Sequence, residues 1–196
     1  MKSKFTLILT LFTFLSTQVL FSQVEICWNR IDDDGDGQLD CADSDCFDYS
    51  FCFECDDRFY QVINNRYLAT LDIENQWYKD IFVINGIENI NGAAMNPIDG
   101  HVYASATTNG AHILVLVGTD GSLGNLGLIL PGSEVYFMAT IDDAGIMYLS
   151  NSNSNILSVD LNQAVLTWTD TGIPYPGGTD FAYHYGDGNL YGIDND

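Results

Sequence analysis

Basic residues are scarce in this chain. Across 196 residues, 6 Lys and Arg stand against 27 Asp and Glu, a formal net charge of −21. So few cations cannot track a phosphate backbone or hold to an anionic lipid surface, since both need clustered Lys and Arg. Histidine is rarer still, with 3 copies at His101, His112 and His184. No G-x-S-x-G, H-E-x-x-H or phosphate-loop pattern occurs, so no catalytic residue is assigned and a non-enzyme is expected. His101 follows a turn and His112 opens a strand run. Strand alternation could face His184 towards a central channel, but the simpler expectation for all three is a surface or strand-edge position. Cysteine is absent beyond Cys55, and no apolar run after the N-terminus is long enough to span a bilayer.

The N-terminus itself reads as an export signal over residues 1–22. Lys2 and Lys4 supply the positive start, and residues 5–21 are apolar apart from scattered Thr, Ser and Gln. Cleavage is expected near Ser22. The polar breaks at Thr10, Thr13, Ser16, Thr17 and Gln18 argue against a retained anchor. Removal of this segment leaves 4 Lys and Arg against 27 Asp and Glu, a net charge of −23. Such a chain suits divalent cations and life outside the cell. The five cysteines, Cys27, Cys41, Cys46, Cys52 and Cys55, all fall behind this signal, which favours disulfides over metal thiolates. Cys52-Phe53-Glu54-Cys55 has C-x-x-C spacing, but no second pair and no neighbouring His completes a zinc site. The odd count leaves one thiol free or paired outside the chain, and spacing leaves the connectivity open.

Residues 23–57 are organised by an aspartate-rich loop. Counting Asp32 as position 1, oxygen donors fall at positions 1, 3 and 5 (Asp32, Asp34, Asp36), and Gly37 at position 6 allows the sharp turn. Gln38 can offer its carbonyl, Asp40 stands at position 9, and Asp43 at position 12 can close the shell. Hard oxygen donors point to Ca²⁺. Cysteines stand where flanking helices would run, so the expectation is a disulfide-framed calcium loop rather than a paired helix–loop–helix site. Its core is too small to stand alone, and disulfides and metal are expected to supply most of its order.

Residues 58–196 contain a repeat. Tyr60, Tyr103, Tyr148 and Tyr191 stand 43, 45 and 43 residues apart. Asp57, Gly100, Gly145 and Gly188 precede them by three, with Asp56, Asp99, Asp143 and Asp187 just before those. Ala94, Ala139 and Ala182 precede the last three tyrosines by nine. Strands are expected at 93–96, 102–106, 113–117 and 126–130, then at 136–141, 146–150, 156–160 and 165–169. Asp99-Gly100 has the composition of a tight hairpin turn. Four strands in about 43 residues, with no capped helical period, indicate an all-β chain of β-propeller blades. The first unit lacks its first strand and the last stops after its second. About three blades are therefore expected, an incomplete propeller and a piece of a longer one.

The stretch Glu25-Ile26-Cys27-Trp28-Asn29-Arg30-Ile31-Asp32-Asp33-Asp34-Gly35-Asp36-Gly37 resembles a metal-binding motif of secreted bacterial surface proteins, roughly E-x-C-x-N-x-x-D-x-D-x-D-G followed by D-C. That motif is named for a copper-binding surface protein, and its aspartates also resemble thrombospondin type 3 calcium repeats. Asn91-Gly92-Ala93-Ala94-Met95-Asn96-Pro97-Ile98-Asp99-Gly100-His101-Val102-Tyr103 is similar to the blade of an uncharacterised bacterial propeller-like repeat family. The resemblances imply a secreted or cell-surface bacterial location and no particular activity. The first expectation is a calcium-binding, non-catalytic adhesion or ligand-binding module, with an extracellular polysaccharide or protein as partner. Trp77, Tyr78, Trp168 and Tyr175 are candidates to stack on a sugar. The alternatives are an extracellular propeller enzyme acting on carbohydrate, a hydrolase or lyase, and Cu²⁺ capture by the N-terminal segment.

Overall fold

Alternating side chains along residues 102–117 set the architecture. In β5 (Val102–Thr108) and β6 (Ala111–Val117), Tyr103, Leu114 and Leu116 enter one apolar core. Ala104, Ala106, Val115 and Val117 enter another. A strand has period two, so a sheet that is apolar at both parities must be covered on both faces. The computed structural model, which describes residues 24–53, 59–72, 74–175, 177–178 and 180–192, shows this sheet between two others. The expected signal segment, Cys55 and the chain after Gly192 lie outside the described residues.

β4 (Asn89–Met95), β5, β6 and β7 (Leu123–Leu130) form one four-stranded antiparallel sheet in sequence order. On one side lie β1 (Phe59–Ile63), β2 (Tyr67–Asp72) and β3 (Trp77–Val83). On the other, β8 (Met138–Ile141), β9 (Ile146–Ser150), β10 (Leu157–Asp160) and β11 (Trp168–Asp170) repeat the four-stranded order. β12 (Phe181–His184) and β13 (Asn189–Gly192) open a further sheet. β4 lies beside β8 and β8 beside β12. The fold is thus all-β, built of propeller-type blades. By the repeat, the first sheet carries strands two to four of its blade and the last carries strands one and two, as the sequence alignment expects.

Three strand starts differ from the expectation by three residues or more, and other boundaries shift by one or two. β4 begins at Asn89 rather than residue 93 because its register shifts between Asn91 and Ala94. Gly92 sits there with φ +54°, and a Cβ on it would meet the Tyr136 carbonyl at 3.0 Å. This irregularity hides the alternation that marks a strand. β7 starts at Leu123, three residues before the expected 126. β11 starts at Trp168, since Val165 is 78% exposed and stays outside the ladder.

The repeated Asp and Tyr form a clasp across each first hairpin. Tyr103 donates its hydroxyl to Asp99 Oδ2 (2.6 Å), while Asp99 Oδ1 accepts the His101 N–H (3.0 Å). Tyr191 and Asp187 repeat the pair, with Asn189 as the N–H donor. In the third blade the partner of Tyr148 is Asp142, which also accepts from Ile146 N–H. The alignment had placed Asp143 in this position; Asp143 instead accepts from Tyr183 of the next sheet. Asp99 and Asp187 serve turns, as expected, and in the third blade Asp142 takes the role expected of Asp143.

The aspartate-rich segment is docked on the blades. Its two short 3₁₀ turns, Asp40–Ala42 and Ser44–Cys46, are framed by the disulfides Cys27–Cys46 and Cys41–Cys52. Phe51 packs on the core facing the third blade and Phe53 enters the core facing the first. The Arg30 guanidinium donates to the Leu161 and Ala164 carbonyls. Among the described residues no helix is long and apolar enough to cross a membrane.

Candidate metal centre

Short polar loops with glycines at positive φ curl their N–H groups onto nearby carboxylates. In the aspartate-rich loop Gly35 (φ +78°) and Gly37 (φ +94°) both donate to Asp32, at 2.6 Å to Oδ1 and 3.0 Å to Oδ2. Asp34 Oδ1 accepts the Asp36 N–H (3.0 Å), and Asp36 accepts both the backbone and side-chain N–H of Gln38. A carboxylate oxygen has two lone-pair sites, so these bonds orient the groups and leave acceptor capacity unused. One oxygen from each of Asp32, Asp34 and Asp36 lies within 4.8 Å of the others.

A second group shares Asp34. Oxygens of Glu25, Asp34 and Asp43 also lie within 4.8 Å of one another, and Glu25 and Asp43 are buried, at 4% and 1% exposure. Asp43 Oδ1 accepts the Asp45 N–H (2.7 Å), but Asp43 Oδ2 is buried without a hydrogen-bond partner. A buried carboxylate oxygen left unpaired is costly, and a bound cation offsets that cost. Two unit charges at this separation repel by about 1 kcal/mol in water and about 3–4 kcal/mol at an effective dielectric of 20. The Asp34 carboxyl is pulled down by the Asp36 N–H. Burial and the charges of Asp36, Asp43 and Asp32 outweigh that pull and hold it above the usual range. The donor set of hard oxygens fits Ca²⁺ better than soft or imidazole-seeking metals.

Of the sequence candidates, Asp32, Asp34, Asp36 and Asp43 fall into these two groups. Gln38 contributes its amide to Asp36. Asp40 is turned elsewhere: fully buried at φ +44°, it accepts the N–H groups of Asn29 and Arg30 and stands 3.6 Å from His101 Nε2. Glu25 enters the site unforeseen. Its Oε2 and Oε1 accept the N–H groups of Asp33 (2.8 Å) and Asp40 (2.9 Å), so it also closes the loop on itself. The one signal for it in the sequence is its place at the head of the E-x-C-x-N motif.

The histidines do not converge. His184 is on the surface beside Asp187, and His112 is buried with Nδ1 on Thr107. His101 is 1% exposed against a disulfide, which the surface expectation missed. Trp77, Tyr78 and Trp168 are exposed, whereas Tyr175 is half-buried and donates its hydroxyl to the Gly178 carbonyl.

Among curated proteins no sequence matches this chain. A solved gluconolactonase of Xanthomonas campestris is similar to it at 17% identity and a TM-score of 0.42, over 62% of this chain and 39% of that one. The chain therefore spans about two fifths of that protein's length. A family model described as a repeat of unknown function (DUF6923) matches residues 84–196, the portion that holds β4 to β13. This chain belongs to that repeat family.

Proposed function

We propose that this chain is a secreted or cell-surface, calcium-binding, non-catalytic module for adhesion or ligand binding, displayed on a β-propeller-type scaffold. Glu25, Asp32, Asp34, Asp36 and Asp43 hold the Ca²⁺. The observation that carries this reading is the Asp43 carboxylate, which has an oxygen within 4.8 Å of oxygens of Glu25 and Asp34 and whose Oδ2 is buried without a hydrogen-bond partner. The two disulfides support an oxidising compartment. Bound Ca²⁺ stiffens the loop, and the loop in turn is tied to the blades through Arg30, Phe51 and Phe53. The partner is an extracellular polysaccharide or protein, met on the blade surface rather than transformed there.

Calorimetric titration of the intact oxidised chain with Ca²⁺, with Mg²⁺ and Cu²⁺ as competitors, tests the metal assignment. About one Ca²⁺ bound at micromolar to millimolar affinity is expected. The Asp34→Ala/Asp36→Ala double variant is expected to lose that binding. Unchanged affinity in the double variant, or a preference for Cu²⁺, overturns the assignment.

A further inference from the structure

A separate cluster of ligand atoms forms where the aspartate-rich segment meets the turn between β4 and β5. Sγ of Cys41, Sγ of Cys52 and a ring nitrogen of His101 lie within 4.8 Å of one another. His101 Nδ1 is 3.0 Å from Cys41 Sγ and 3.2 Å from the Phe51 carbonyl. Its Nε2 faces Asp40 Oδ2 at 3.6 Å, with both residues essentially buried. An imidazole with a carboxylate behind one nitrogen and sulfur before the other has the orientation of a metal-ligating histidine held by its outer partner.

The cysteines are also held independently of their bond. Cys41 N–H donates to the Asp99 carbonyl (2.9 Å), and Cys52 pairs with His101 through an antiparallel bridge. Thr119 N–H donates to the Ser50 carbonyl (2.8 Å) and fixes the approach to Cys52. Gly100 (φ +70°) lies so near that a Cβ there would stand 2.9 Å from Cys41 Cβ. Breaking the sulfur–sulfur bond therefore leaves both side chains and the imidazole facing one another.

We propose that, once the Cys41–Cys52 bond is reduced, Cys41, Cys52 and His101 bind a soft closed-shell cation, Zn²⁺ or Cu⁺, with Asp40 as the positioning residue for the imidazole. A dithiol reductant supplies the two electrons and two protons and becomes its own disulfide. Cation binding then releases the two thiol protons, while the His101 proton shifts from Nδ1, where it faces the Phe51 carbonyl, to Nε2 towards Asp40, and Nδ1 offers the freed lone pair. Two thiolates and an imidazole select soft or borderline ions, whereas the aspartate-rich loop offers only hard oxygens. The two sites therefore take different metals and stand or fall separately.

The test uses the full chain, reduced anaerobically with a phosphine, which takes its oxide oxygen from water and does not compete as a thiol. Co²⁺ serves as the spectroscopic probe for Zn²⁺. One equivalent with a sulfur-to-cobalt charge-transfer band is expected in the reduced chain and none in the oxidised chain. The band is expected to survive in Cys27→Ser/Cys46→Ser/Cys55→Ser, which keeps only the two proposed thiols. In the chain with all five cysteines, His101→Ala is expected to weaken Co²⁺ by 10-fold or more. Asp40→Asn is expected to cost about 10–100-fold. Displacement by Zn²⁺ or by Cu⁺ names the preferred ion, and either order supports the site. Equal affinity in His101→Ala, binding without reduction, or loss of the β-sheet circular dichroism on reduction overturns the proposal. Ca²⁺ titration of the oxidised chain reads the other site and is unaffected by these outcomes.

Discussion

The aspartate-rich segment and the blades reach order by opposite means. In the second blade, β5 and β6 bury apolar side chains on both faces, and the neighbouring sheets supply the cover. In the segment, order comes from two disulfides, from N–H groups folded onto carboxylates, and from three anchors on the blades. If the proposed Ca²⁺ site is right, the first region should be indifferent to ions and redox state, and the second should depend on both. The expected consequence is that the loop can be lost without losing the sheet.

Substitutions can separate the two regions. Leu114 is fully buried in the core between the second and third blades. Leu114→Ala is expected to cost about 2–5 kcal/mol in denaturant unfolding and to leave Ca²⁺ affinity unchanged. Cys27→Ser/Cys46→Ser opens a loop of sequence separation 19, worth about 3 kcal/mol of chain entropy. Its effect is expected in Ca²⁺ affinity and in proteolysis of residues 24–53, with β-sheet circular dichroism retained. A sheet that unfolds with the disulfide would erase the distinction. Chelation from a chain held at about 100 times the Ca²⁺ dissociation constant is expected to remove about 2.7 kcal/mol, read as a calcium-dependent shift in the unfolding midpoint.

The Asp–Tyr clasp allows a finer comparison between blades. Burial pushes the Asp99 carboxyl up, against the hydrogen bonds from Tyr103 and the His101 N–H, and raises the Tyr103 hydroxyl well above its usual value. Tyr103→Phe leaves that buried carboxylate short of a donor, and a loss of about 1.5–3 kcal/mol is expected. The same change at the exposed Tyr191 is expected to cost under about 1 kcal/mol. Equal losses would mean that burial does not set the strength of the clasp. The smallest effect is expected at Asp120, whose carboxyl the Ser122 hydroxyl and N–H hold below its usual range. Its contribution is present above the unfolded value of 3.8 and is lost as pH falls through the lower folded value. Asp120→Asn is therefore expected to flatten the thermal midpoint slightly in that acid window and nowhere else.

The fold was legible because a repeat writes its period into the sequence. The tyrosine spacing located β5, β9 and β13, and a first sheet whose described strands begin at Phe59 followed from the same repeat. What escaped were features without local signature. The irregularity at Gly92 masked the start of β4, and insertion near Asp142 and Asp143 concealed which carboxylate clasps Tyr148. The loop aspartates were visible because their donors are close in sequence. Glu25 was not, because its role depends on folding back across 8 and 15 residues to Asp33 and Asp40. His101 was missed for a like reason: its sulfur neighbour lies 60 residues away. Asp40 fits the loop by count, but its positive φ and the N–H groups of Asn29 and Arg30 turn it towards His101.

The central claim is that the unpartnered Asp43 oxygen belongs to a Ca²⁺ shell with Glu25 and Asp34. Asp43→Asn keeps the size and the acceptor for the Asp45 N–H but halves the capacity of the buried oxygen pair to hold a cation. Calorimetric Ca²⁺ titration of this variant beside the parent chain is the most direct measurement. A loss of at least about 10-fold in affinity, equivalent to about 1.4 kcal/mol, is the expected result. Unchanged affinity would contradict the account and leave the loop as an acidic turn held by its own hydrogen bonds.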